Sequence, residues 1–338
     1  MRSVGSVLKQ LITACAGYCI SMPSYVGSRG LSVQSGRQQP IIKGKVENVI
    51  LVGSNGFVGH RILNNAINSE QKILGIAGSA ALESTLSQFS NFHTPTTFVW
   101  AASKVNPISA EQDERKVELE FRSFENFVDH LSQYASMVQH VIFLSSAGCL
   151  YSGSENSFSE SDAALGTNRY GMLKKSMEDL LINSGINSTV VRISNIYGPG
   201  QRTGRGQGVI GEWIRAIRNE QPITIYGDGL ATRDYIYIDD VVRAIYKIIK
   251  RPTGGIYNLG FGKSHSLIEI LDTMKEFVQL DPKPIFLPRR STDRKSFSLD
   301  IRKIRDTFEW EPSYNLREGL QQTFTALEDA PDGVRGFL

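Results

Sequence analysis

The stretch Val49-Ile50-Leu51-Val52-Gly53-Ser54-Asn55-Gly56-Phe57-Val58-Gly59 restricts the fold of this 338-residue chain more than any other. Four apolar residues, mostly β-branched, predict a buried parallel strand. Three glycines spaced three apart follow, and His60-Arg61-Ile62-Leu63 then opens a helical pattern. The first glycine suits a tight turn, the second lets backbone N–H groups approach a pyrophosphate, and the third lets the helix pack on the strand. The bland alternative is a glycine-rich turn that binds nothing. The rest of the chain has to decide between them.

The formal charge of +3 is unevenly placed. Residues 1–45 carry six basic residues and no acidic ones, leaving 31 basic against 34 acidic in residues 46–338. That body offers no electrostatic case for nucleic acid. Two of the three cysteines, Cys15 and Cys19, lie in residues 1–45, so Cys149 stands alone in the body. No cysteine/histidine spacing suggests a metal site, and a lone thiol fits a reducing compartment. Residues 1–45 are Ser- and Gly-rich, with an apolar run from Leu11 to Met22 too short to span a bilayer. A secretory signal, an organellar transit peptide and a disordered or misassigned extension all fit. The last is favoured, because such a glycine motif normally opens its domain.

From Val46 onward, short apolar runs alternate with helical stretches, the pattern of a parallel α/β sheet. Strands are expected near Lys72–Ala77, Thr97–Ala102, Val141–Ser145 and Thr189–Ile193, with one long helix over about Glu111–Ser132. Beyond Asn195 the texture becomes Gly/Pro-punctuated, with helices over Ile238–Ile249 and Leu267–Phe277. The reading is a Rossmann-type doubly wound sheet over residues 46–195. Residues 196–338 are expected to form mainly a smaller α/β substrate lobe, with some segments returning to the sheet.

Val141-Ile142-Phe143-Leu144 ends in Ser145-Ser146, where an α/β sheet binds ligands. About 25 residues later, Tyr170 and Lys174 lie one helical turn apart on one face. A phenol is a weak base at neutral pH, and a neighbouring ammonium lowers its pKa. Tyr246 and Lys250 share the same spacing, so spacing alone proves little. Position after the Ser145-Ser146 strand favours the first pair.

Together these segments resemble the extended short-chain dehydrogenase/reductases, in particular the NAD-dependent nucleotide-sugar epimerase/dehydratase family. Further matching segments are Ala101-Ala102, Arg192 to Pro199, Tyr226-Gly227-Asp228-Gly229 with Arg233-Asp234, and Ile238-Asp239-Asp240-Val241. Tyr257-Asn258-Leu259-Gly260, Arg290 with Asp293, and Trp310-Glu311-Pro312 complete the set. The resemblance implies catalytic roles for Tyr170, Lys174 and Ser146. It implies cofactor contacts from Gly53, Asn55, Gly56, Phe57, Val58, Gly59, Ala101, Ala102, Ser145, Tyr170, Lys174 and Ile193. Asn195, Arg233, Arg290 and Asp293 would hold the nucleotide diphosphate and ribose, and Phe297 would gate the sugar pocket. NAD is the implied cofactor, with NADP open, and a cytoplasmic homodimer without nucleic acid, membrane or metal is the implied setting.

Four departures qualify that picture. Ala147 stands where the family has a catalytic Ser/Thr, and Ser146 is the adjacent substitute. Ala147-Gly148-Cys149 replaces the dehydratase Thr-Asp-Glu, which argues against water elimination and leaves Cys149 as a packed residue. The acid expected after the second strand is replaced by Ile76-Ala77-Gly78-Ser79. The stretch from Ser79 to Thr97 is too short for the usual additional helix and strand. Trp100, before Ala101-Ala102, reads as a core aromatic. The expectation is an NAD(P)-dependent epimerase of a nucleotide-linked sugar, with UDP as the expected carrier. A keto-sugar reductase or dehydrogenase and a non-catalytic NAD(P)-binding regulator are the alternatives.

Overall fold

In the computed structural model, the described residues are 48–66, 72–87, 94–153, 157–201, 203, 208–278, 283–289 and 294–328. Expectations for residues 1–45, Arg290 and Asp293 lie outside them.

Six parallel strands form the central sheet: β1 (Asn48–Val52), β2 (Ile73–Ile76), β3 (Thr96–Trp100), β4 (Val138–Ser146), β6 (Ser188–Ile193) and β10 (Gly255–Leu259). Their spatial order is β10-β6-β4-β3-β1-β2. Val49, Ile50 and Leu51 are buried, as a strand covered on both faces requires. The chain runs from β1 outward to β2, then returns to pair β3 with β1 from the other side. That reversal opens a crevice at the carboxyl ends of β1 and β3, where open α/β sheets bind ligands. Helix α1 (Phe57–Ala66) follows β1 and α2 (Ser79–Ser87) follows β2. Among the described residues no strand pairs outside β2, in keeping with the shortened stretch before Thr97.

The long helix expected over Glu111–Ser132 is two helices, α3 (Pro107–Gln112) and α4 (Glu114–Gln133). Asp113 separates them: its backbone is extended (φ −142°, ψ 93°) and its side chain accepts from the Lys116 N–H. An aspartate that caps the next helix competes with continuing the previous one. Helix α4 turns Phe124 and Phe127 onto the sheet, where Trp100 packs at centroid distances of 5.0 and 4.7 Å. Trp100 is thus the core aromatic expected.

Helix α5 (Arg169–Asn183) leads into β6, after the short strand β5 (Ser157–Phe158). A second apolar core lies among β7 (Asn195–Tyr197), α6 (Val209–Arg218), β8 (Ile223–Tyr226) and β9 (Thr232–Tyr237). Helix α7 (Ile238–Lys250) lays its apolar face on the main core before β10. The remaining elements are β11 (Ser264–Ser266), α8 (Leu267–Lys275), β12 (Pro284–Leu287), β13 (Ser298–Leu299), α9 (Arg302–Phe308) and α10 (Leu316–Glu328). No helix among the described residues is long and apolar enough to cross a membrane.

Candidate active site

The glycine loop is shaped by contacts that exclude side chains. Gly53 has φ +91°, and a Cβ there would lie 2.6 Å from the Ala102 backbone. The loops after β1 and β3 therefore touch, and Ala101 donates its N–H to the Val52 carbonyl at 2.9 Å. A Cβ on Gly59 would meet the Gly53 carbonyl oxygen at 2.2 Å, so α1 starts directly against the turn. Asn55 is exposed on the loop, while Phe57 and Val58 pack into the apolar cores as α1 begins. The first turn of α1 contains no acid to neutralise its positive end. A backbone cradle with an unopposed helix dipole fits a dinucleotide pyrophosphate.

Helix α5 carries the second half of the site. Asn168 caps it, accepting from the Gly171 N–H at 2.8 Å. A Cβ on Gly171 would sit 1.8 Å from the Cys149 carbonyl oxygen, so the helix start lies directly on the Cys149 loop. That approach brings Tyr170 and Lys174 to the end of β4. The Ser146 hydroxyl interacts with the Tyr170 phenol and favours its ionised form. Burial outweighs it and pushes Tyr170 above the ordinary range, with Cys149 and Glu120 acting in the same direction. Lys174 is 2% exposed, its ammonium 5.5 Å from the Phe143 ring centroid and 5.6 Å from that of Tyr170. Burial lowers its pKa, and Glu120 and Glu178 oppose that. Its ammonium has no ion-pair partner among the described residues, which suits a cation meant for a bound ligand.

The residue at the family's Ser/Thr position, Ala147, is fully buried in the core. Ser146 is the hydroxyl that faces Tyr170. Cys149 is half-buried; its thiol accepts from Asn168 Nδ2 at 3.3 Å, and burial raises its pKa. The decoy pair resolves itself: Tyr246 donates its hydroxyl to the Ile62 carbonyl at 2.8 Å, joining α7 to α1, and Lys250 is exposed.

Three expected site residues are spent elsewhere. Ser145 donates to Glu178 Oε1 at 2.6 Å in a buried network, because the pleat turns it away from its neighbour Ser146. Ile193 is buried; its carbonyl, not its side chain, faces the strand end and accepts from the Ala147 N–H at 2.8 Å. Phe297, expected at the mouth of the sugar pocket, is 0% exposed and stacks on Phe158 at 5.5 Å. The pairing of β13 with β5 beside it draws the ring into the core.

Asn195 and Arg233 line a cavity of about 510 Å³ with Gln201, Trp213, Tyr226 and Tyr235. Asn195 donates to the Asp234 carbonyl at 2.9 Å. Arg233 donates through Nη1 to the Thr232 and Arg294 carbonyls at 2.8 and 2.9 Å. Asp234 is buried beneath them, accepting from Ser194 Oγ and from the N–H groups of Phe261, Gly262 and Leu299.

One residue at the site was not anticipated. Glu120, on α4, is 8% exposed and lies on the same buried face as Phe124, Phe127 and Leu131. Its Oε2 accepts from the Lys104 N–H at 2.8 Å, and its buried Oε1 has no hydrogen-bond partner. The signal was present: an acid at helical spacing within an apolar stripe.

Comparison with known proteins supports the fold and the family. Over 309 residues the chain is 28% identical to the dTDP-4-dehydro-6-deoxyglucose reductase of Escherichia coli, covering 82% of this chain and 97% of the other. Against the UDP-glucuronate 4-epimerase of Thermodesulfobacterium geofontis identity is 33%, over 54% of this chain and 57% of the relative. The crystal structure of UDP-glucose 4-epimerase with UDP-glucose from Thermotoga maritima superposes with a TM-score of 0.75 at 24% identity, covering 83% of this chain and 98% of that one; it supports the fold. Residues 49–260 match the NAD dependent epimerase/dehydratase family. That match spans more than half of the chain, and this chain belongs to that family.

Proposed function

We infer that this protein is an NAD-dependent epimerase of a nucleotide-linked sugar, with a UDP-sugar as the expected substrate. The observation that carries this reading is the convergence of Ser146, Tyr170 and Lys174 at the end of β4, in the same sheet whose β1 leads into the glycine loop. NAD, when bound, supplies the two-electron acceptor and donor. Gly53, Gly56, Gly59 and the start of α1 would hold its pyrophosphate, and Lys174 its ribose. Tyr170 takes the proton of a sugar hydroxyl as that carbon is oxidised, and returns it after the ketone is reduced from its other face. In the site as described, burial keeps Tyr170 protonated. It becomes a base only where Lys174 is cationic and Ser146 donates to the phenolate. Asn195 and Arg233 line a cavity of the size and polarity that a nucleotide diphosphate needs, and a guanidinium fork suits phosphate oxygens.

The similarity to the E. coli reductase over 97% of that relative's length favours net reduction of a keto-sugar as the second reading. Incubating the purified protein with a panel of UDP- and other nucleotide-sugars, followed by NMR, separates the two. Interconverted sugars with no net cofactor consumption support the epimerase; stoichiometric NAD(P)H oxidation replaces it with the reductase. The absence of an acid after β2 leaves NADP as the alternative cofactor, which mass spectrometry of retained nucleotide decides. We further infer that residues 46–195 form the dinucleotide domain and 196–338 mainly the substrate lobe of a cytoplasmic homodimer. Sedimentation equilibrium tests the dimer.

A further inference from the structure

Two carboxylates face Lys174, and they are not equivalent. Glu178, one turn along α5, is already neutralised. Arg192 reaches it through Nη2 at 2.7 Å and through Nε at 3.1 and 3.2 Å, and Ser145 donates to it at 2.6 Å. Glu120 comes from α4, which packs against α5; among the described residues only the Lys104 N–H donates to it, and its Oε1 is buried without a partner. Neither Glu120 nor Lys174 has an ion pair among the described residues. An ammonium and a carboxylate buried without ion pairs on two packed helices each cost free energy, and each lowers that cost for the other.

We propose that Glu120 is a positioning residue of the Tyr170/Lys174 pair: its unspent carboxylate is the counter-charge that keeps Lys174 an ammonium inside the site. This rests on the reading of Tyr170 as the base. The groups that act electrostatically on Tyr170 and Lys174 are Glu120 from α4, Glu178 from α5 and Cys149 from the loop after β4, with the Ser146 hydroxyl on the Tyr170 phenol. Glu120 acts on Tyr170 and Lys174 with opposite consequences. It supports the positive charge of Lys174 and opposes the negative charge of Tyr170. Removing its charge therefore lets Lys174 deprotonate at lower pH and lets Tyr170 ionise at lower pH. Both limbs of the pH dependence of kcat move to lower pH, whereas a packing defect reduces kcat without moving them.

The test uses the full chain labelled with ¹³C,¹⁵N-lysine, the Lys174 signal being assigned by its loss in Lys174→Arg. Its titration midpoint is measured by NMR in the wild type, Glu120→Gln and Glu120→Asp. Gln keeps an acceptor for the Lys104 N–H, and Asp keeps the charge. The midpoint is expected to fall by about one pH unit in Glu120→Gln and to return in Glu120→Asp, with the alkaline limb of kcat moving in step. An unchanged midpoint in Glu120→Gln, or an equal fall in Glu120→Asp, overturns the proposal. Because the titration needs no turnover, it still decides on Glu120 if Tyr170→Phe keeps full activity and the epimerase reading fails.

Discussion

Lys174 and Glu178 lie four residues apart on α5, both buried, yet their surroundings are opposite. Glu178 has its charge balanced by Arg192, and Arg192 Nη1 donates to the Tyr151 hydroxyl at 3.1 Å. Tyr151 in turn donates to Asn258 Oδ1 at 2.5 Å on the neighbouring edge strand β10. This network ties β4, α5, β6 and β10 together and leaves Glu178 and Arg192 with matched partners. Lys174, one turn earlier, has the Phe143 and Tyr170 rings at 5.5 and 5.6 Å and no ion pair among the described residues. A buried charge with matched partners is scaffold, and a buried charge without them is poised for a ligand or a proton.

The comparison breaks most sharply at Tyr170. Tyr170→Phe should reduce turnover by about 100- to 10,000-fold while cofactor affinity, measured by equilibrium binding, stays near wild type. Near-normal turnover would remove Tyr170 from the chemistry. On the scaffold side, Arg192→Met strands the Glu178 carboxylate and should cost about 3–5 kcal/mol of stability, read by urea denaturation. A loss below about 1 kcal/mol would mean that Glu178 finds another partner or a proton.

Asp234 tests whether neutral donors can replace a cation. It accepts four hydrogen bonds but has no ion pair among the described residues, and burial pushes its pKa up to about 6. An unfolded aspartate titrates near 4, so the folded chain holds an extra proton between those values. The ionised carboxylate therefore weighs against folding above pH 6, and that penalty is relieved as pH falls through 6 towards 4. Stability relative to Asp234→Asn should rise by about 1–3 kcal/mol between pH 7 and 4. A flat difference would show that the four donors fully compensate the charge.

Smaller effects sharpen the boundary of the site. Ser146→Ala should lower turnover by about tenfold, and Ser146→Thr should restore most of it; no change would leave Tyr170 without a hydroxyl partner. Tyr246→Phe removes the hydrogen bond to the Ile62 carbonyl. It should cost about 1 kcal/mol of stability and leave kcat unchanged, and a large kcat loss would revive the decoy pair.

Much of this architecture was legible in the residue order. The apolar runs of β1, β3, β4 and β6 are long and β-branched, and the glycine spacing marks a strand-turn-helix with a pyrophosphate cradle. The four-residue spacing of Tyr170 and Lys174 shows that they share a face. Other features were hidden because they depend on contacts between distant segments. Asp113 looks like one more acid in a helical stretch until its side chain caps the next helix. Phe297 looks like a pocket residue until β13 pairs with β5. Glu120 stands at core spacing on α4, but only the fold shows that its Oε1 is buried without a partner.

By itself, the sequence determined the parallel sheet, the place of the glycine turn after β1 and which tyrosine follows β4, because hydrophobic period and glycine spacing are local properties of the chain. Tertiary structure alone decided what Ser145 does and which buried charge is left without an ion pair among the described residues. Ser145 and Ser146 are chemically identical, and Glu120 and Glu178 nearly so. What separates them is the partner that folding brings alongside, and burial turns that difference into free energy by removing the water that would otherwise equalise them.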